Sequence, residues 1–423
     1  MRWIVVGGGA AGCAVASRLA ARADEQVLLL EAGPADLADS RQLTADASVD
    51  TGPRPSHGTF VRPDVTVVRR AGATQAPYAQ GHGLGGSSLI NGGVVTGDVP
   101  ADVAAMLPLE RPWAHGMVAD TLLAADEHTI EVRLVRRDGT RATAAEIFLG
   151  PHRSAANLAI RADTEIRKLL VDGRRVVGVV TATGEEILGD AVVLCAGAIE
   201  TPTLLLRSGV DTPGVGVGVQ DHPSVRLAFD LDPARFDPTV PAVSVTVERG
   251  SHQLLALDHV NPDLPLGVLM AGLLRVSSRG SVTLPDPDGP ALVQLNMLSA
   301  ESDVSGLAAA AIDLVNVVSR PDFRQAFTSV YIDDHGTLLS ALHDADDVER
   351  WAVATDLSGY HHVSASCRRG VVTDADGWVR GYERLAIGDA SLFDGVPVTD
   401  PYIAVVAQAL RLTTPMFLSR YRP

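Results

Sequence analysis

Hydrophobic positions along the chain fall into short continuous runs separated by glycine-rich turns and longer alanine-rich stretches. Arg2-Trp3-Ile4-Val5-Val6 is a β-branched apolar run ending in Gly7-Gly8-Gly9-Ala10-Ala11-Gly12, which predicts a buried strand and a tight turn. An Ala-rich helical pattern follows to about Ala23, then a second apolar run, Val27 to Leu30, closing on Glu31-Ala32-Gly33-Pro34. The order is strand, glycine turn, helix, strand. Further on, Asp190 to Leu194 reads as a buried strand, and Glu200-Thr201-Pro202 opens an apolar helix through Leu206 with Pro in its first turn. Val243 to Val247 and Gln253 to Leu257 predict strands, and Ser305 to Val318 predicts a helix with an Ala-rich apolar face. Leu385-Ala386-Ile387 predicts a last strand leading into Gly388-Asp389-Ala390-Ser391, before a helix at Pro401 to Leu412.

Composition narrows the class. A chain of 423 residues fits one large two-lobed enzyme or two domains. Hydrophobic residues at 46% and charged residues at 20% exclude wholesale disorder and fibrous repeats. A formal charge of −16 argues against a nucleic-acid surface. Cys13, Cys195 and Cys367 lie far apart with no CxxC spacing, which predicts reduced thiols and neither a disulfide frame nor a metal site. The first strand begins at Met1 and no stretch of about 18 apolar residues occurs, so neither signal peptide nor spanning helix is expected. A cytoplasmic location follows, with peripheral contact at the inner membrane face left open.

The first turn has the GxGxxG spacing in the context that spacing requires. Gly7 allows the turn, Gly9 lets backbone approach a pyrophosphate, and Gly12 lets the helix pack closely. The helix N-terminus faces the phosphates, and Glu31 is placed to accept from ribose hydroxyls. These residues do not separate FAD from NAD, although the acid weighs against NADP. The competing reading is a glycine-rich turn in a purely structural parallel sheet.

Three further stretches add to this: Gly81-His82-Gly83-Leu84-Gly85-Gly86-Ser87-Ser88-Leu89-Ile90-Asn91-Gly92-Gly93, Gly197 to Val210, and His361-His362-Val363-Ser364-Ala365-Ser366-Cys367 before Asp389-Ala390-Ser391. Together with Gly216 to Pro223, they resemble the glucose–methanol–choline (GMC) oxidoreductases, FAD-dependent enzymes acting on alcohols. The LGGSSxxNG loop is similar to that family's first signature and GAIETPTLLLRSGV to its second.

The resemblance implies an α/β fold, in which a Rossmann-like FAD-binding domain is assembled from residues 1–98, 139–223 and 365–423. A shortened lid at 99–138 and an α+β substrate domain on an antiparallel sheet at 224–364 complete it. It implies that Ala10 and Ala11 line the pyrophosphate, Glu31 holds the ribose and the backbone of Ile166 meets the adenine. Gly85, Gly86, Ser87, Asn91 and Gly92 would run along the isoalloxazine, Asp389 and Ala390 would contact the ribityl–pyrophosphate portion, and Pro401 would border the flavin. Ile90 stands where some members carry a histidine bonded to the flavin, so non-covalent FAD is expected.

By the same register His362, five residues before Cys367, is the expected base; histidine suits that task because its pKa lies near working pH. Eleven positions after the Asp389 of the DAS segment, where the family has Asn or His, stands Asp400. A carboxylate there only accepts hydrogen bonds, and the expectation is a charge pair that raises the pKa of His362. The alternative is that Asp400 caps the helix from Pro401 and never faces substrate.

Gln80 and His82 replace the usual Arg and Lys ahead of the flavin loop, removing positive charge. The short lid predicts a wide mouth suited to a bulky alcohol or a docking electron acceptor. The leading reading is an alcohol dehydrogenase passing electrons to an acceptor other than oxygen, such as a quinone or respiratory component. The compact lobe is similar to that of short members associated with mycofactocin, whose reduced form would then be the substrate. A peroxide-forming oxidase, a cyanohydrin lyase and a degenerate flavin-binding protein stay as alternatives. Oligomeric state is not legible.

Overall fold

The computed structural model describes residues 1–35 and 60–418, with side chains described through Thr414. Strands Arg2–Val6, Gln26–Leu30, Leu158–Arg161, Ala191–Leu194 and Leu385–Ile387 form one parallel sheet, although three come from far along the chain. The strand Arg2–Val6 lies between Gln26–Leu30 and Ala191–Leu194, and its Ile4, Val5 and Val6 are buried, as a continuous apolar run in a parallel sheet should be. Helix Ala10–Ala20 leaves the first strand through the glycine turn, ending three residues earlier than its Ala-rich pattern. Its buried Ala, Val and Leu residues pack beneath the sheet's C-terminal edge, against helix Pro401–Leu418.

A second layer is an antiparallel sheet of seven strands. It includes Pro223–Asp230, Leu266–Leu273, His252–Leu257 and Val243–Arg249 in that spatial order. Helix Glu301–Val318 covers it with Leu307, Ala310, Ala311 and Leu314, beginning four residues before the expected Ser305. This α/β architecture is the fold class the sequence implied.

The strands also cross the expected domain boundaries. Thr129–Glu131, inside the expected lid, forms the edge of the seven-stranded sheet beside Val243–Arg249. Helix Met117–Ala125 buries Val118 and Leu122 in the same apolar core. Thr66–Val68 pairs with Leu292–Gln294, in a five-stranded sheet that joins flavin-side and substrate-side segments. Residues 36–59 and 419–423 of the expected FAD-binding segments lie outside the described residues.

Cys13, Cys195 and Cys367 are buried and unpaired. Among the described residues no helix is long and apolar enough to cross a membrane, and no cluster of His, Cys, Asp and Glu is placed to hold a metal ion.

Candidate active site

One continuous cavity runs between the two sheets. At one end lie Gly7, Gly9, Ala10, Ala11, Glu31 and Ile166; at the other lie His362, Asp400 and Tyr360. Gly86, Ser87, Ile90, Asn91 and Gly92 line it between, with Asp389, Ala390 and Pro401. Of the expected cofactor residues, Gly12 and Gly85 stand behind the wall. A Cβ on Gly12 would sit 1.8 Å from the Gly7 carbonyl oxygen, so only glycine lets the helix approach the turn. The Gly85 N–H donates to the Gly8 carbonyl at 2.8 Å, bracing one glycine loop against the other instead of facing the cavity. At Gly86, φ is +56° and a Cβ would meet Gly9 Cα at 2.6 Å, so the two loops touch backbone to backbone.

Two acids behave differently from their sequence reading. Glu31 sits at the cavity wall, yet its carboxylate already accepts from the N–H groups of Gly8 (2.6 Å), Gly33 (2.9 Å) and Gly83 (3.2 Å). Burial pushes its pKa up, against those three donors. With about four acceptor positions on a carboxylate, one is left for a sugar hydroxyl. Asp389 was expected to meet the ribityl–pyrophosphate portion. It lines the cavity, with its side chain turned inward: Oδ2 accepts from Gly197 N–H and Thr201 Oγ1, and Oδ1 accepts from Ser391 N–H. It holds the start of helix Gly197–Arg207, so the carboxylate shapes the cavity wall rather than presenting itself to a ligand.

The residues fit FAD. Helix Ala10–Ala20 opens on the cavity with neither a side-chain cap nor an acid in its first turn, leaving N–H groups for phosphate oxygens. Along the same wall Gln80 Oε1 and Tyr402 Oη are buried without a hydrogen-bond partner, which a polar cofactor would supply.

At the far end, the structure brings together side chains that the sequence scatters. His362 Nε2 lies 3.7 Å from Asp400 Oδ1, and Asp400 Oδ2 accepts from Thr96 Oγ1 at 2.9 Å. Asp400 therefore faces the cavity beside the histidine. The expected rise in the pKa of His362 is overturned. Burial holds its imidazole well below the ordinary histidine range, and His222 and His361 push the same way. At 3.7 Å the carboxyl group does not offset the cost of burying an imidazolium.

Behind His362, His222 Nδ1 lies 3.3 Å from its Nδ1, and the rings meet nearly perpendicular. Tyr360 presents a ring edge to both histidines. Asp221, buried in the turn before His222, accepts from the backbone N–H of both His222 (2.8 Å) and His362 (3.0 Å) through Oδ1. Its Oδ2 accepts from Tyr78 Oη at 3.1 Å, and that oxygen in turn accepts from Val363 N–H. One carboxylate thus fixes the backbone of both histidines. His361 is held at φ +60° with its ring against Tyr78, a left-handed conformation that turns the chain so that His362 enters the cavity.

Sequence reasoning missed Asp221, His222, Tyr78 and Thr96 as site residues. The Asp221-His222 pair was visible only as part of a turn, and nothing local signals that a residue 140 positions away packs against it.

Opposite the histidines, Val243, Leu255, Leu257 and Met270 of the antiparallel sheet form an apolar wall. Family models described as GMC oxidoreductase match residues 114–224 and 276–409, and one described as an NAD(P)-binding Rossmann-like domain matches residues 5–66.

The chain belongs to the GMC oxidoreductases.

As a member of this family it is an FAD-dependent oxidoreductase. It is 26% identical to the 5-(hydroxymethyl)furfural oxidase of Methylovorus sp. (strain MP688), with 97% of each chain covered. It is 24% identical to the pyridoxine 4-oxidase of Microbacterium luteolum, covering 97% of this chain and 98% of that one. An oxygen-dependent choline dehydrogenase of Escherichia coli is 24% identical over 92% of this chain and 90% of its own. Among solved structures, pyridoxine 4-oxidase from Mesorbium loti superposes with a TM-score of 0.84 at 21% identity, each chain 99% covered. Formate oxidase from Aspergillus oryzae superposes at 0.81 with 18% identity, covering 99% of this chain and 98% of that one. These likenesses are to the GMC fold.

Proposed function

We propose that this GMC oxidoreductase oxidises the CH–OH group of an alcohol with an apolar body, and that His362 Nε2 takes the hydroxyl proton. The observation that carries this reading is the meeting of His362 and Asp400 at the end of the cavity, under the apolar wall of Val243, Leu255, Leu257 and Met270. FAD, when bound, supplies the acceptor for the hydride that leaves the alcohol carbon as the carbonyl forms. A neutral imidazole is the form that can accept a proton, and burial keeps His362 neutral. Asp400, fixed by Thr96, stands where it can stabilise the imidazolium once formed. The apolar wall holds the substrate body and excludes water from the proton transfer. In this reading Gly7, Gly9, Ala10, Ala11, Glu31, Gly86, Ser87, Asn91, Gly92, Ile166, Ala390 and Pro401 hold the cofactor without a covalent bond, because Ile90 is incapable of forming one.

The electrons go to an acceptor other than oxygen. Reduction of dioxygen builds negative charge on it, which an unpaired cation beside the site would stabilise; the imidazolium that His362 becomes on taking the substrate proton is paired with the carboxylate of Asp400, so the pair adds no net positive charge. The test is anaerobic mixing with a panel of alcohols, reduced mycofactocin among them, followed by reoxidation with oxygen or a quinone. An apolar alcohol should bleach the flavin absorbance, and His362→Gln should retain FAD while losing about 10²–10⁴-fold in turnover. No bleaching by any alcohol, or full turnover in the variant, overturns the reading. Reoxidation by oxygen as fast as by quinone overturns the acceptor assignment.

A further inference from the structure

We propose that Glu200 is a specificity residue for the cofactor: its carboxyl group accepts from the exocyclic amino group of the adenine, so the protein distinguishes FAD from dinucleotides carrying another base. This rests on FAD binding and is independent of the reading of His362 as the base.

The glycine turn and the start of helix Ala10–Ala20 take the pyrophosphate, and Glu31 stands on the ribose side of it. The base then occupies the end of the cavity away from His362, where Ile166 lies. Helix Gly197–Arg207 presents Gly197, Glu200, Leu204 and Arg207 to the cavity, the spacing of one helical face. Ser208 Oγ, at the end of that helix, accepts from Leu169 N–H at 2.8 Å and ties the helix to strand Ile166–Asp172. Thr164 and Glu165, just before the strand, also line the cavity, and the Arg62 guanidinium joins them 3.5 Å from Glu165.

Within this group Glu200 is the side chain without a commitment. Arg62 gives Nε and one terminal nitrogen to Asp64, at 3.2 and 3.0 Å. Arg207 gives Nε and one terminal nitrogen to the carbonyls of Pro287 and Gly289, at 3.2 and 2.9 Å. Both cations are thus engaged elsewhere, and Glu200 makes no hydrogen bond or ion pair among the described residues. Burial pushes its pKa up, and Arg62 and Arg207 only partly oppose that. Once the cavity is filled, those lone pairs must be met by the bound group.

Adenosine brings two kinds of donor, the ribose hydroxyls and the amino group of the base. Glu31 has one acceptor position left, and it serves the ribose. The amino group is left for Glu200, with Leu204 one turn further on offering apolar surface to the base. A carboxylate accepts from that amino group, and a protonated carboxyl does so while also donating to a ring nitrogen. A base with an oxo group in place of the amino group would set oxygen against oxygen and leave Glu200 unpaired.

The test is titration of the full-length, deflavinated protein with FAD, with its hypoxanthine analogue and with FMN, followed by flavin fluorescence. The unmodified protein should bind FAD about tenfold to hundredfold more tightly than the hypoxanthine analogue. In Glu200→Gln, whose amide can accept from an amino group or donate to an oxo group, that ratio should fall within about threefold. Glu200→Leu should lose about tenfold in FAD affinity and leave FMN, which has no base, bound as before. Equal affinity of the unmodified protein for FAD and its analogue, a measurement that needs no variant to fold, overturns the inference. So does an unchanged ratio in Glu200→Gln, or an equal loss of FMN and FAD affinity in Glu200→Leu. Failure of the unmodified protein to bind FAD at all would instead remove the cofactor on which the inference rests.

Discussion

Replacing Asp221 by Ala tests the clamp beneath the active site most directly. The carboxylate is 1% exposed and accepts from three groups: the N–H of His222, the N–H of His362 and the hydroxyl of Tyr78. Alanine leaves two backbone N–H groups and one hydroxyl without that partner in a dry interior. At about 1–3 kcal/mol for each buried donor left unmade, the two N–H groups alone cost about 2–6 kcal/mol. That is a large share of the roughly 5–15 kcal/mol by which a domain is usually stable. Asp221→Asn is the graded control. Its amide oxygen can still accept from both N–H groups, while its NH₂ replaces an acceptor beside Tyr78, so about 1–2 kcal/mol should be lost. Denaturant unfolding followed by fluorescence and by flavin release measures both variants. Turnover should fall further than stability explains in folded Asp221→Ala, because His362 loses the contact that sets its backbone. An Asp221→Ala protein of unchanged midpoint and kcat would refute the reasoning.

Gly12→Ala should abolish FAD retention and cost at least about 3 kcal/mol, since the added carbon falls 1.8 Å from backbone oxygen that no rotamer can clear; flavin absorbance after gel filtration checks it. Stability should carry a His222-dependent acid sensitivity. Its folded pKa of about 4 lies below the ordinary 6.5, so the unfolded chain binds more protons in that window. The contribution is complete above 6.5 and is lost as pH falls toward 4, about 2 kcal/mol by pH 5. The difference in unfolding free energy between the unmodified protein and His222→Asn, measured at pH 7.5 and 5, reports it; the same difference at both values would count against a buried neutral His222. Thr96→Val should free Asp400 from its 2.9 Å donor and reduce kcat several-fold, and Asp400→Asn should change both turnover and the pH profile. An Asp400→Asn enzyme with an unaltered profile would show that the carboxyl group takes no part in proton transfer.

The sequence by itself determined the nucleotide half of this protein, because its information there is local. A strand, a glycine turn and a helix within twenty residues must juxtapose their own backbone groups, so Gly7 and Gly12 could be given tasks from spacing alone. The same held for the strand at Leu385–Ile387 and for the body of the helix Gly197–Arg207, although that helix begins three residues before the expected Glu200 and holds Pro202 inside it. Motif order carried the family and, through register, singled out His362 and Asp400.

The tertiary structure decided how these groups are partnered. Asp389 and Glu31 read as ligand-facing acids, but their oxygens are claimed by N–H groups that the fold delivers from elsewhere: Gly197 for Asp389, and Gly8 and Gly83 for Glu31. The protonation of His362 was misjudged for the same reason. An adjacent carboxyl group argues for a raised pKa, and the fold overrides it by burying the ring beside a second histidine 140 positions away. A short motif fixes which atoms are near along the chain. Desolvation and long-range hydrogen bonds depend on what the rest of the chain packs around them, and that is settled only when the two sheets close on the cavity.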